Sequence, residues 1–462
     1  MHKLYYQPKG FWFGDCMPFY QDGKFYLFHQ RDTRNPIPLF GEPFGWSLAC
    51  TTDFVHYEDF GEVITHGDDE DQDQFIFAGS LFFVNNIYYT IYTGYNHSYS
   101  NLNKASQVLM LAYSYDLINW TKTDQTLVTP QKGYDPTEWR DPFIFWNEDC
   151  QEYVMLLGAR KLEGKRIRTG CTVFFTSTDF KNWIFKGDFW APNLFYMHEM
   201  PDLFRIGDFW YLLTTEYSDK SKTVYRMSKT LDGPWIAPLD DAFDGRAYYA
   251  ARSCSDGNKR YLFGWVPTKE NQNDLAEWQW GGALIVHEIY QRIDFTLGTR
   301  LPEKVAQAFS QKKHLLSNSS TLDSQDGCAE LRLAKDTGNL FLFRMNIIFS
   351  PDTKLFGLRF FEDEETGEAY EFTFVISERR VLFDKTPNLR YFHCMNKGLE
   401  RPLSIAAECS HEIQIVVDDS IATLYVDGVA LNTRMYNKVG RALTIFVADG
   451  KLEVLNAALE TI

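Results

Sequence analysis

Positive charge is in short supply. The chain of 462 residues carries 46 Lys and Arg against 62 Asp and Glu, a formal net charge of −16. That balance argues against nucleic acid or anionic membranes as partners and suits a neutral small-molecule substrate. Long apolar runs are missing as well. None reaches the roughly 18 residues of a membrane span, and the opening Met1-His-Lys-Leu-Tyr-Tyr6 lacks the apolar core of a signal peptide, so a cytoplasmic location is expected. The eight cysteines (Cys16, Cys50, Cys150, Cys171, Cys254, Cys328, Cys394, Cys409) form no CxxC pair and no zinc-type spacing. Reduced, mostly buried thiols are expected, Cys16 among them, with no resident metal and no cofactor. Apolar residues at helical spacing are also lacking in the recurring runs described below, which excludes long helices there.

What the chain has in excess is rings. Aromatic residues make up 16% and apolar residues 45%, enough for the cores of two domains. A Gly, Asp or Asn turn followed by an aromatic-rich strand recurs five times. It reads Asp22-Gly-Lys-Phe-Tyr-Leu-Phe-His29, Asn85-Asn-Ile-Tyr-Tyr-Thr-Ile-Tyr92, Asp149-Cys-Gln-Glu-Tyr-Val-Met-Leu156, Gly207-Asp-Phe-Trp-Tyr-Leu-Leu213 and Asp256-Gly-Asn-Lys-Arg-Tyr-Leu-Phe263. The marker tyrosines Tyr26, Tyr89, Tyr153, Tyr211 and Tyr261 are 63, 64, 58 and 50 residues apart. In four copies a second strand follows and ends in a hairpin signal: Thr51-Thr-Asp-Phe54, Ser114-Tyr-Asp-Leu117, Ser177-Thr-Asp-Phe180 and the looser Ser228-Lys-Thr-Leu-Asp232. Repeats of this size, each holding roughly four short antiparallel strands, predict propeller blades. From about residue 314 the pattern changes to alternating runs such as Asn339-Leu-Phe-Leu-Phe-Arg-Met-Asn346 and Glu412-Ile-Gln-Ile-Val-Val-Asp418, as in a sandwich. The expected fold is all-β: a five-bladed β-propeller over residues 1–298, a linker at 299–313 and a C-terminal β-sandwich over 314–462.

Three acids share one offset from the repeated strand. Asp15 lies 11 residues before Tyr26, while Asp141 and Glu199 lie 12 before Tyr153 and Tyr211; the remaining equivalents are Phe77 and Tyr249. The innermost strand of each blade faces the propeller axis, so the shared offset predicts convergence on one funnel. Clustered carboxylates must separate their pKa values, which is what glycoside hydrolysis requires of its acid and its nucleophile or base. The stretch Tyr196-Met-His-Glu-Met-Pro-Asp-Leu-Phe204 sets Glu199 among apolar neighbours, where burial favours the protonated carboxyl. Arg140 is expected to hold its neighbour Asp141 ionised. Three acids also suit calcium or magnesium, but no EF-hand-like spacing accompanies them.

On these residues the sequence resembles glycoside hydrolase family 32, the invertases, levanases and inulinases. The family's Trp-Met-Asn-Asp-Pro-Asn-Gly lines up with Trp12-Phe-Gly-Asp-Cys-Met-Pro18, its Arg-Asp-Pro with Arg140-Asp-Pro142, and its Glu-Cys-Pro with Glu199-Met-Pro201. Its Phe-Ser-Gly-Ser resembles Phe77-Ala-Gly-Ser80, and its sandwich signature resembles Val417-Asp-Asp-Ser420 with Tyr425-Val-Asp-Gly428. The resemblance implies a retaining enzyme that cleaves terminal β-fructofuranosyl linkages of sucrose or short fructooligosaccharides. Asp15 would be the nucleophile, Glu199 the acid/base and Asp141 the transition-state stabiliser, with Arg140, Gln30, Trp46, Ser80 and Tyr249 contacting sugar. Two of the family's asparagines, which help recognise the fructosyl unit, are Gly14 and Met17 here, and its Pro-Arg-Glu is represented by His287-Glu288. These departures leave open a furanosidase for another sugar, such as an arabinofuranosidase, alongside a fructosyltransferase and an inactive sugar-binding propeller.

Overall fold

The computed structural model describes residues 2–34, 41–387 and 397–462; Cys394 lies outside them. Its local grammar is visible in the hairpins. At Thr51, Ser114 and Ser177 the hydroxyl faces the turn, and in the first two it accepts from the N–H of the residue three positions on, at 2.9 and 3.0 Å. The aspartate two positions on (Asp53, Asp116 or Asp179) takes the next two free N–H groups at 2.7–2.9 Å. Between them Phe54, Leu117 and Phe180 adopt φ of 63°, 68° and 63°. Left-handed backbone is costly for bulky residues. Here satisfied turn donors and a side chain driven into the core offset that cost, for all three are buried.

The propeller strands fall into antiparallel groups in chain order. The first is Trp12–Gln21, Lys24–Asp32, Trp46–Thr51 and Glu58–Ile64. The second runs from Phe75–Val84 to Trp120–Val128, and the third from Tyr134–Asn147 to Ile184–Trp190. The fourth has three strands, Glu199–Ile206, Phe209–Glu216 and Lys222–Ser228. The last comprises Tyr249–Ser255, Arg260–Lys269, Trp278–Gln291 and Leu297–Arg300. The first and last groups share one eight-stranded sheet, joined by the single pair Phe13↔Gly282. Rings reinforce that seam: Phe25 packs on Tyr261 and Phe263 at 5.5 and 5.6 Å between centroids.

A short helix, Glu303–Ala308, leads to the strand Gln311–His314, which pairs with the 20-residue strand Ala442–Thr461. That long strand also pairs with Ser320–Ala334, Leu340–Phe349 and Leu355–Glu362 and so organises the β-sandwich. The sandwich grips the propeller by buried polar contacts. Asp244 accepts from the Asn432 backbone and amide at 2.8 and 2.7 Å and meets His287 at 3.1 Å, while the other His287 nitrogen lies 2.9 Å from the Tyr425 hydroxyl. Thus His287, in place of the family's arginine, joins the two domains. Arg401 donates to Asp240 and to the Ala242 carbonyl, at 2.7 and 2.6 Å.

The N-terminus is fastened by the same domain. Buried Asp418 accepts from the N–H groups of Lys3, Leu4 and Tyr5 at 2.9, 2.8 and 2.9 Å, and the Tyr6 carbonyl accepts from Leu284 N–H across the seam. Asp418→Ala leaves three inward-facing donors without their acceptor and is expected to cost about 2–4 kcal/mol. Urea unfolding followed by tryptophan emission checks this; a midpoint equal to wild type would show that the grip contributes nothing.

Candidate active site

Each propeller group breaks register on its first strand, and each break falls at the shared offset. The breaks lie between the partners of Phe13 and Cys16, Phe77 and Gly79, Leu156 and Gly158 (facing Arg140 to Phe143), Glu199 and Asp202, and Tyr249 and Arg252. A bulge re-aims side chains that regular alternation would send into a neighbouring sheet. Asp141, Met200 and Ala250 accordingly take φ of 66°, 50° and 52°. The result is a cleft of about 730 Å³ whose lining includes Asp15, Asp141 and Glu199. Three acids remote in sequence therefore share one cavity.

Their partners differ. Asp15 accepts from the Trp265 indole N–H at 3.0 Å. Asp141 accepts from the Met200 N–H at 3.1 Å and lies 3.9 Å from Arg140. Glu199 takes Arg140 at 2.8 Å on one oxygen and the Tyr249 hydroxyl at 2.5 Å on the other. Burial, then the charges of Asp141 and Glu199, push Asp15 up to about 8, against the opposing Trp265 bond and Arg252 charge. Burial likewise raises Asp141 to about 6, and there Arg140 and Arg252 oppose it. The arrangement suits proton transfer and nucleophilic attack.

The environment of Glu199 differs from the expectation of an apolar nest. Met197, Met200 and Phe204 are buried on their own account, while the carboxylate turns away from them to a guanidinium and a phenol. Arg140 serves Glu199 and Glu138, the latter at 2.5 Å, more closely than Asp141. Its own charge is reinforced: burial would lower its pKa, yet Glu199, Glu138 and Asp141 together raise it. Gln30 lines the cleft and donates to the Ile76 carbonyl at 3.3 Å. Trp46 corrects the expectation of a sugar contact. It is wholly buried, its indole N–H given to the Phe77 carbonyl at 3.1 Å, so it supports the bulge from behind. Ser80 is buried too and accepts from Ile144 N–H at 3.2 Å, outside the cleft lining.

Several lining residues escaped the sequence reading. Phe44 and Tyr95 each stack with Phe77, itself a shared-offset position, with ring planes near parallel, and Trp280 extends the series from Phe44 at 6.4 Å and 16°. Glu138, Asp32, Arg34 and Glu42 add charged groups to the lining. Behind the acids, buried Arg252 donates to the carbonyls of Asp141 and Pro142 at 2.9 and 3.3 Å, and to that of Gly79. The dipeptide Arg140-Asp141 gave a signal for the first cation; nothing local marked Arg252.

Comparison with known proteins agrees with this architecture. Residues 5–291 match the model of the glycosyl hydrolases family 32 N-terminal domain. A raffinose invertase of Escherichia coli is 26% identical over 459 residues, covering 93% of this chain and 88% of that protein. A sucrose-6-phosphate hydrolase of Vibrio alginolyticus is 26% identical over 357 residues, covering 72% and 69%. Among solved structures, fructan 1-exohydrolase IIa from Cichorium intybus superposes with a TM-score of 0.80 at 18% identity, covering 100% of this chain and 97% of that one.

Proposed function

Because the chain belongs to glycosyl hydrolases family 32, we propose that it is an exo-acting, retaining β-fructofuranosidase for sucrose and short fructooligosaccharides. The observation that carries this reading is the meeting of Asp15, Asp141 and Glu199 in one cleft with unlike partners. Asp15 attacks the anomeric carbon as the bond to the leaving oxygen breaks, and Glu199 gives that oxygen a proton. Water, deprotonated by Glu199, then displaces the Asp15 carboxylate. Asp141 holds sugar hydroxyls as positive charge develops on the ring. Around neutrality the empty cluster retains a proton, which burial and repulsion favour on Asp15. Turnover needs that proton on Glu199, where Tyr249 and Arg140 adjoin it.

Charge narrows the substrate. Among the described residues the cleft lining carries six acids (Asp15, Asp32, Glu42, Glu138, Asp141, Glu199) and two arginines. Both arginines are paired, Arg34 with Asp32 at 3.4 Å and Arg140 with Glu138 and Glu199. A phosphate entering here meets net negative charge, so the unphosphorylated sugar is the substrate we assign. We divide the two domains within the segment 299–313, between the propeller strand Leu297–Arg300 and the sandwich strand Gln311–His314. The seven described cysteines are free, which suits a reducing cytoplasm. No helix among the described residues is long and apolar enough to cross a membrane.

The test is a panel of sucrose, 1-kestose, sucrose 6-phosphate and an aryl arabinofuranoside, with the first-formed anomer read by NMR. Sucrose and kestose are expected to yield fructose with retained configuration, and sucrose 6-phosphate to have a kcat/KM lower by at least about tenfold. Turnover of the arabinofuranoside alone, or inversion, would overturn the fructosidase reading. Kestose accumulating from concentrated sucrose would make the enzyme a transferase.

A further inference from the structure

The residue before the nucleophile is closed by an indole. A Cβ added at Gly14 would lie 2.1 Å from Cη2 of Trp280 and 2.8 and 2.9 Å from Cζ2 and Cζ3. No side chain fits at position 14 while Trp280 stays where it is. Trp280 comes from the far end of the propeller, on the strand Trp278–Gln291, where the following Gly281 takes φ of 78° and lets the chain turn the ring inward. Its ring stands 5.4 Å from Trp265, whose N–H binds Asp15, and stacks towards Phe44 on its other side. Trp280 nevertheless keeps 37% of its surface and lines the cleft. The ring is thus held on two sides and offers open surface beside the attacking carboxylate.

From this geometry we infer that Trp280 is a specificity-determining residue, coupled to Gly14. The wall beside Asp15 meets the transferred sugar with an aromatic surface where a side chain at position 14 would offer polar atoms. The inference rests on the cleft being the glycosidase site proposed above, and it specifies how that site chooses. Met17 adds no polar group, being buried within the sheet. Apolar walls and hydrogen-bonding walls discriminate differently. A site built to bond a hydroxyl rejects an analogue lacking it by about 10⁴–10⁵, whereas an apolar pocket separates small structural differences by about 10–200-fold. The wild-type cleft therefore tolerates loss of a sugar hydroxyl facing Trp280.

The test compares wild type, Gly14→Asn, Trp280→Ala and the double variant on p-nitrophenyl β-D-fructofuranoside and its 1-deoxy and 6-deoxy analogues. Circular dichroism and thermal melts verify folding. Gly14→Asn alone is expected to lose at least about 30-fold in kcat/KM, because amide and indole claim one volume. The double variant should recover at least about tenfold of that loss and discriminate more strongly than wild type against one deoxy analogue. Gly14→Asn within twofold of wild type, strictly multiplicative effects, or unchanged discrimination in the double variant would each overturn the inference. If wild type cleaves no fructoside, the enzymatic reading fails separately. Titration of fructose and arabinose into wild type and Trp280→Phe then decides the wall: sugar-dependent change of tryptophan emission lost in Trp280→Phe supports it, and change retained in full overturns it.

Discussion

Asp15→Asn should abolish turnover while making the protein more stable. Without the nucleophile no covalent intermediate forms, and kcat on sucrose is expected to fall by at least about 10⁴-fold. The stability gain follows from linkage. The folded-state pKa of Asp15 is raised from 3.8 to about 8, so between those values the folded protein holds a proton that the unfolded chain releases. Stability therefore declines as pH rises through this window, being fully spared below about pH 4 and fully penalised above about pH 8. A neutral amide at position 15 removes the penalty. With allowance for partial solvent access, the gain at pH 7–8 is about 1–3 kcal/mol, or about 1–3 °C in Tm. Near pH 4 the two proteins should melt together. Calorimetry at pH 4 and pH 8 checks both limbs; a variant less stable than wild type at pH 8, or one that keeps full activity, would contradict the assignment. Because turnover needs the cluster's retained proton on Glu199, the same raised pKa sets the alkaline limb of wild-type kcat/KM, where that proton is lost.

The second large effect belongs to Glu199→Gln. Glutamine can accept from Arg140 through its carbonyl oxygen and donate its amide N–H to the Tyr249 oxygen, so the cleft should keep its shape, but it has no proton to give or take. A loss of about 10²–10⁴-fold in kcat on sucrose is expected. An aryl fructoside, whose leaving group needs little protonation, should lose less in its first step and show a burst, since deglycosylation still lacks its base. Azide needs no base: it attacks the anomeric carbon, displaces the Asp15 carboxylate, and should restore turnover with fructosyl azide of retained configuration as product. A loss smaller than tenfold, or azide product of inverted configuration, would remove Glu199 from the acid/base role. Tyr249→Phe, which deletes a donor and leaves the carboxyl, should have the smaller effect.

How much of this was legible before the coordinates follows from where each signal resides. The Ser-x-Asp corners are local, since hydroxyl, carboxylate and the N–H groups they satisfy lie within five residues, and the string announces them. The alternating runs of the sandwich are local too. The common offset of Asp15, Asp141 and Glu199 was readable because a bulge at a fixed distance from each repeated strand imposes it. Trp46 and Ser80 were misplaced as sugar contacts because motif position says which residues adjoin a cleft and not which side of the sheet they face. Arg140 was assigned to its neighbour in sequence, whereas its stronger partner, Glu199, comes from the next group of strands. Trp265, Trp280 and Arg252 were invisible for a further reason: each comes from the closing strands, remote in sequence from the acids it serves, and nothing in its own strand marks it.

The seam between the first and last propeller groups orders events in time. During synthesis Asp15 emerges early and Arg140 and Glu199 midway, but Trp265, which fixes Asp15, and Trp280, which walls it, come from the closing strands. Asp418, which clasps the first residues of the chain, comes later still. A ribosome-bound fragment can therefore carry all three acids and have no cleft. The cleft is completed only when residues 265–280 join the early strands, and a cut separating them from the acids is expected to open a site whose acids remain covalently intact.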